Sequence, residues 1–241
     1  MNELAPVHLS SIPQGGVAVV FGASGGVGAA LVEHLRASGC FAEVVGLSRR
    51  SAPSFDLTDE DSIARAVASV AALGELRLVI DATGFLHDDL QGPEKTWRDL
   101  DAAKLARAFA LNAIGPALLM KHVLPALAPQ GKAVFATLSA RVGSIGDNHL
   151  GGWYGYRASK AALNQLVRTA AIELKRRRPA ALCVALHPGT VRTALSSPFS
   201  KDGLEVQTPQ TSAARLLGVI DDLSADQSGG FFDHLGLAIP W

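Results

Sequence analysis

The stretch Tyr156-Arg-Ala-Ser-Lys160 places a phenol and an ammonium four residues apart at the start of a long helix-forming run. Residues at i and i+4 lie on one face of a helix. An ammonium held there favours the phenolate and pulls the tyrosine pKa down toward the range of a working proton donor. Such pairs also arise by chance on surface helices, so the elements around this one decide whether its proton has a partner.

Those elements alternate along the chain. Val17–Phe21, Glu43–Leu47, Leu76–Ile80, Ala133–Ala136 and Leu182–Leu186 are short apolar runs that read as strands. They are too uniformly apolar for a one-sided sheet and suit a parallel sheet covered on both faces. Helices are predicted at about Gly26–Ser38, Asp59–Leu73, Leu100–Leu127 and Trp153–Arg178, the third broken in two near Asn112–Pro116. A helix near Pro209–Leu223 and a strand around Gly230–Asp233 complete the pattern. Strict alternation implies right-handed crossovers and an α/β fold, a doubly wound parallel β-sheet spanning residues 1–241 as a single domain. Such a sheet binds ligands at the carboxyl ends of its strands, where the strand order reverses.

Directly after the first strand comes Gly22-Ala-Ser24-Gly25-Gly26-Val27-Gly28, then an Ala/Leu-rich helix. Glycines here let the backbone turn sharply and approach a pyrophosphate, and the free N–H groups at the helix start face the anion. The 3-then-1 glycine spacing is not G-x-G-x-x-G, and the Lys-Ser/Thr of a triphosphate loop is missing, which disfavours ATP or GTP hydrolysis. After the second strand, Ser48-Arg49-Arg50 stands where an acid would favour NAD; the Arg49 guanidinium would pair with a 2′-phosphate. NADP(H) is therefore favoured, with NAD(H) left open. Asp56, followed by Leu57, either accepts from an adenine amino group or orders its own turn.

Five features now fall in order: the glycine loop, Asp81-Ala82-Thr83-Gly84 after a middle strand, Asn112, Tyr156-x-x-x-Lys160, and Pro188-Gly189-Thr190-Val191. Together they resemble the short-chain dehydrogenase/reductase family, whose members have a Rossmann-type fold, over nearly the whole chain. The Gly-Gly-Trp-Tyr-Gly-Tyr-Arg-Ala-Ser-Lys segment and the Ile239-Pro-Trp end are similar to the C-factor/sniffer-like branch of carbonyl reductases. The resemblance implies hydride transfer between a nicotinamide and a carbonyl or alcohol substrate. Tyr156 would protonate the nascent alkoxide, Lys160 would hold the nicotinamide ribose and, with the oxidised ring, lower the tyrosine pKa, and Asn112 would anchor a relay water. Gly22 to Gly28, Ala82, Thr83, Gly84, Pro188, Gly189, Val191 and Thr193 would line the cofactor, with Thr190 and Thr193 near the carboxamide. Residues 192–208, rich in Ser, Pro and Gly, read as a flap over the substrate.

One departure falls in the chemistry. The family's S-S-x-x-G segment is here Ser139-Ala140-Arg141-Val142-Gly143, so the usual hydroxyl position holds Ala140 and Ser139 stands one residue early. A one-residue step along a strand turns a side chain to the opposite face. Ser139 can orient a carbonyl only if the backbone bulges or leaves strand geometry; Ser144 is the weaker substitute. Phe21 and Asp81 also replace the family's Thr and Asn.

Composition narrows the rest. With 22 basic and 22 acidic residues the chain has no net charge to favour nucleic acid. The basic run Lys175–Arg178 just before Pro179 suits a helix C-terminus. The seven histidines show no metal-ligand spacing, and no stretch reads as a membrane span or signal peptide. Cys40 and Cys183 lie in apolar segments, consistent with a reduced, cytoplasmic setting. The resemblance implies pairing of long helices into a homodimer or homotetramer. The competing reading, motivated by Ala140, is an NAD(P)-binding regulatory or signalling protein with little turnover.

Overall fold

Five consecutive fully buried residues, Val17–Phe21, form β1, the second strand from one edge of a six-stranded sheet. The computed structural model describes residues 7–89, 91–196 and 206–241. Beyond β1 the strands are β2 (Glu43–Leu47), β3 (Leu76–Asp81), β4 (Ala133–Leu138), β5 (Ala181–His187), the two-residue β6 (Thr190–Val191) and β7 (Val206–Gln207), and β8 (Phe231–Asp233). The large sheet runs in the order β2-β1-β3-β4-β5-β8 with every pair parallel, while β6 and β7 pair only with each other. Strand order reverses between β1 and β3, so the ligand crevice of such a sheet opens at their carboxyl ends.

Helices α1 (Gly26–Ser38), α2 (Glu60–Ala71), α3 (Ala102–Phe109), α4 (Gly115–Val123), α5 (Tyr154–Arg177) and α6 (Pro209–Asp222) cover the sheet. Alternate strand residues feed two cores. Leu31 and Leu35 of α1 and Leu216 and Leu217 of α6 pack on Val20, Ile80 and Val184 on one face. Ile63, Leu119, Leu163 and Val167 from α2, α4 and α5 pack on Val19, Val79, Phe135 and Cys183 on the other. Truncating one of these leucines to alanine costs about 2–5 kcal/mol, because the transfer energy and the cavity add.

The caps separate structural helices from those that begin at the crevice. Asp59, Asp101 and Thr208 accept backbone N–H groups at the starts of α2, α3 and α6. Neither α1 nor α5 has a cap from its own N-cap side chain.

Two expectations are corrected. The helix predicted to break near Asn112 continues instead through a π-helical turn, Ala110–Ile114, closed by the Gly115 N–H on the Ala110 carbonyl. The helical stretch Ala102–Ala126 is also long and apolar enough to cross a membrane by length and composition, contrary to the reading that none is. In the fold it buries Asn112 completely and packs Leu119, Met120 and Val123 into the core. Of the segment read as a flap, residues 197–205 lie outside the described residues.

Candidate active site

The glycine loop sits at the reversal of strand order. Gly22 has φ +83°, and a Cβ there would meet the Ala82 carbonyl oxygen at 2.8 Å, so β1 and the turn after β3 approach closely through bare backbone. A Cβ on Gly28 would lie 2.3 Å from the Gly22 carbonyl oxygen, which fixes glycine where the loop closes on α1. Ser24, Gly25 and Gly26 are exposed, whereas the Val27 side chain points into the core. With no side-chain cap on α1, its first N–H groups remain available to an anion. This cradle fits a dinucleotide pyrophosphate.

Other predicted contacts converge here. The Thr193 methyl stands 2.9 Å from where a Gly26 Cβ would be, so the chain after β6 packs on the glycine loop. Gly189, at φ +79°, follows Pro188, whose carbonyl accepts from Ser212 at 2.8 Å; Val191 is buried beside it. The His87 Nε2 lies 3.3 Å from the Ala194 carbonyl, bridging the segment after β3 to the segment after β6. Arg49 is exposed on the turn after β2, near enough to Asp56 to help hold that carboxyl below its ordinary range, although the hydrogen bonds from Thr58 dominate the shift. Asp56 Oδ1 accepts from the Thr58 backbone and hydroxyl at 2.8 and 2.7 Å, so it orders its own turn. The Leu57 side chain belongs to the core under Gly115, leaving its backbone for any cofactor contact.

Tyr156 and Lys160 occupy the first two turns of α5. Lys160 is buried, donates to the Leu138 carbonyl at 2.8 Å, and is pushed down to about 8 by burial, with Asp81 opposing. A Cβ on Gly84 would lie 3.8 Å from the lysine nitrogen and 4.0 Å from Asn112 Oδ1, so these three groups meet. The Asn112 side chain is fully engaged: Oδ1 accepts from Phe85 N–H at 2.8 Å, and Nδ2 donates to the Phe85 carbonyl and Ser159 Oγ. Its backbone is the freer part, because Pro116 lacks the N–H that an α-helix would direct to the Asn112 carbonyl. The expected lowering of Tyr156 by Lys160 is not found: burial pushes the phenol up to about 12. Desolvation outweighs the ammonium, whose hydrogen bond goes to the Leu138 carbonyl.

The hydroxyl question has a geometric answer. Ser139 continues the ladder, its N–H on the Leu186 carbonyl at 2.8 Å, and Ala140 is also extended at φ −144° and ψ 143°. No bulge intervenes, so the two side chains face opposite ways. Ser139 donates to Asn164 Oδ1 at 2.6 Å in a buried contact with α5, and its proton is committed there. Ser144 is buried and its Oγ accepts from Asp147 N–H at 3.1 Å.

One participant escaped the sequence reading: Asn164 stands one turn after Lys160, and that i+4 spacing was its only signal. Asp81, which stands in place of the family's Asn, is fully buried, accepting from Thr83 on one oxygen and from Thr137 at 2.8 Å on the other. Burial raises its pKa; Lys160 and the threonines oppose the rise. Among the described residues, no group of three or more metal-ligating side chains comes together.

Residues 22–225 match the family model described as enoyl-(acyl carrier protein) reductase. The chain belongs to the short-chain dehydrogenase/reductase family. It is 35% identical to the C-signal of Myxococcus xanthus over 178 residues, covering 73% of this chain and 99% of that protein. It is 33% identical to 1-hydroxy-2-glutathionyl-2-methyl-3-butene dehydrogenase of Rhodococcus sp. (strain AD45), covering 78% of this chain and 79% of that one. Among solved structures, the NADPH-bound carbonyl reductase from chicken fatty liver superposes with a TM-score of 0.83 at 27% identity over 100% of both chains. The carbonyl reductase Sniffer of D. melanogaster, at 23% identity and TM-score 0.80 over 95% of this chain and 100% of that one, shares the fold. As a member of this family the chain is a hydride-transferring oxidoreductase with a Rossmann-like parallel sheet.

Proposed function

We propose that this single-domain chain is an NADP(H)-dependent carbonyl reductase or alcohol dehydrogenase, with Tyr156 as the proton donor and acceptor. The observation that carries it is the seating of Tyr156 and Lys160 on the first turns of α5, with the lysine nitrogen at the end of β4 and against Gly84 after β3. The bound dinucleotide supplies or takes the hydride. Residues 22–28 hold its pyrophosphate, Arg49 meets a 2′-phosphate, and Ala82 to Gly84 with Pro188 to Thr193 line the rest. Lys160 sits where it binds a ribose, and the Asn112 backbone is the anchor for the proton path from solvent. A phenol raised by burial remains protonated at neutral pH, which suits donation to an alkoxide.

The substrate is a small carbonyl or alcohol compound, not nucleic acid. Two buried free cysteines accord with a reducing compartment such as the cytoplasm. Exposed Ile114 and Ile172, on the π-helical turn and α5, favour pairing of helices into a homodimer or homotetramer. Ala140 with the committed Ser139 favours the second reading, a binding protein with little turnover. NADPH oxidation over a panel of ketones, aldehydes and quinones separates the two. Turnover that disappears in Tyr156→Phe while NADPH affinity survives is the expected result. NADPH binding with no turnover on any panel member would support the second reading instead.

A further inference from the structure

The start of α5 is an awkward place to build a helix. Gly151 and Gly152 have φ +63° and +64°, and Trp153, the N-cap, has φ +53°, the one non-glycine residue of positive φ among those described. The Trp153 side chain does not cap the helix. A left-handed approach without its own cap leaves the first turn, which carries Tyr156, dependent on support from elsewhere.

The support comes from 61 positions upstream. The Glu94 side chain is 4% exposed, and its Oε2 accepts from the Gly155 N–H at 3.0 Å. Its backbone carbonyl accepts from the Trp153 N–H, so one residue grips the helix start at two positions of its first turn. Oε1 packs on Gly155, where a Cβ would come within 2.9 Å of it, leaving no room for a side chain. The segment bearing Glu94 is itself fixed: Gln91 Nε2 donates to the Lys104 carbonyl at 3.2 Å, Asp88 pairs with Arg107, and Asp99 accepts from the N–H groups of Lys95 and Thr96. The Trp153 ring meets the Tyr156 ring edge-on at 6.2 Å between centroids, so a displaced Trp153 carries the phenol with it.

We propose that Glu94 is a positioning residue for Tyr156: its buried carboxylate, delivered by the loop between β3 and α3, caps the N-terminus of α5 and sets where the phenol stands. The carboxylate complements the helix dipole, and its contact lies one residue before Tyr156. Glu94 touches no reacting atom; it acts through the first turn of the helix. The proposal rests on the function proposed above, and its test keeps the two apart.

Two variants of the full chain separate contact from charge. Glu94→Gln keeps an oxygen at the same reach, whereas Glu94→Asp keeps the charge one methylene short. Reduction of a carbonyl that the wild type accepts should lose about 10–100-fold in kcat in Glu94→Asp, as expected for a displacement near 1 Å, with NADPH affinity held within about twofold. Glu94→Gln should recover kcat to within about threefold of wild type, since the same contact is remade. A folded Glu94→Asp protein with wild-type kcat overturns the proposal. So does an equal kcat loss in both variants, or a loss confined to NADPH affinity. Should Glu94→Asp not fold, Gly155→Ala displaces the same carboxylate and must show the kcat loss. Amide exchange at Gly155 and Tyr156 decides without turnover: exchange should be faster in Glu94→Asp than in Glu94→Gln, and unchanged exchange overturns the proposal. If the wild type reduces no carbonyl, the proposed function fails while exchange still judges Glu94.

Discussion

Replacing Ser139 by alanine should cost this protein stability and leave its chemistry nearly intact. The hydroxyl donates to Asn164 Oδ1 at 2.6 Å in a buried contact, and Asn164 Nδ2 has no hydrogen-bond partner. Without Ser139 the amide of Asn164 loses that bond as well, and a buried polar group left unsatisfied costs about 1–3 kcal/mol. For a chain of this size each kcal/mol moves Tm by roughly 2–4 °C, so a fall of about 2–12 °C is expected. Turnover should change by less than about threefold, whereas removing a donor aimed at a developing oxyanion costs about 10²–10³ in kcat. The two cases differ by more than tenfold in rate and are opposite in where the damage appears. NADPH oxidation by the purified variant, beside a thermal melt, reads both. A kcat reduced about 100-fold at unchanged Tm would show that Ser139 reaches the substrate and would refute the geometry argued above. Ala140→Ser is the complement: it places a hydroxyl on the face opposite Ser139 and should raise kcat by up to about tenfold at similar Tm.

Arg49→Ala should weaken NADPH about 10–100-fold and NADH little, read by fluorescence titration, because only the 2′-phosphate loses a charge-assisted partner; an unchanged preference would dismiss the arginine. In Gly28→Ala the methyl would fall 2.3 Å from the Gly22 carbonyl oxygen, so the loop must open and NADPH affinity should drop at least tenfold, beyond any gain of about 1 kcal/mol in helix propensity. Lys160 is held near 8 against an ordinary 10.5, so between those values the unfolded chain binds more protons and stability rises with pH. Tyr156 acts in the opposite sense: raised from 10.0 to about 12, it makes stability fall through that upper window. Urea midpoints from pH 7 to 10 should therefore climb more steeply in wild type than in Lys160→Met; parallel curves would mean that the lysine is not desolvated.

Strands and most helices were legible because each is a local fact. Buried runs such as Val17–Phe21 announce a two-sided parallel strand, and α1 begins and ends where its glycines and apolar period place it. Two-residue strands such as β6 and β7 carry no period to detect. The alternation of Ser139 and Ala140 was readable as a doubt, but the side chain that receives the Ser139 proton lies 25 positions away and needed coordinates. The same holds for Glu94, whose role depends on a contact spanning 61 positions. For Tyr156 the i,i+4 spacing states which charge is near and not how dry the site is, and burial pushes the phenol up.

The π-helical turn at Ala110–Ile114 also sets a phase. Each residue of an α-helix advances its face by about 100°, so one residue held in a wider turn rotates everything after it by that amount. Leu119, Met120 and Val123 of α4 meet the core only with that rotation in place, while Asn112 points back to Phe85 and Ser159. A chain shortened by one residue inside the turn would still be helical from Ala102 onward, yet it would bring the wrong side of α4 to Leu57. One extra residue thus lets a single helical rod serve two masters, the crevice above and the core below, at different compass bearings.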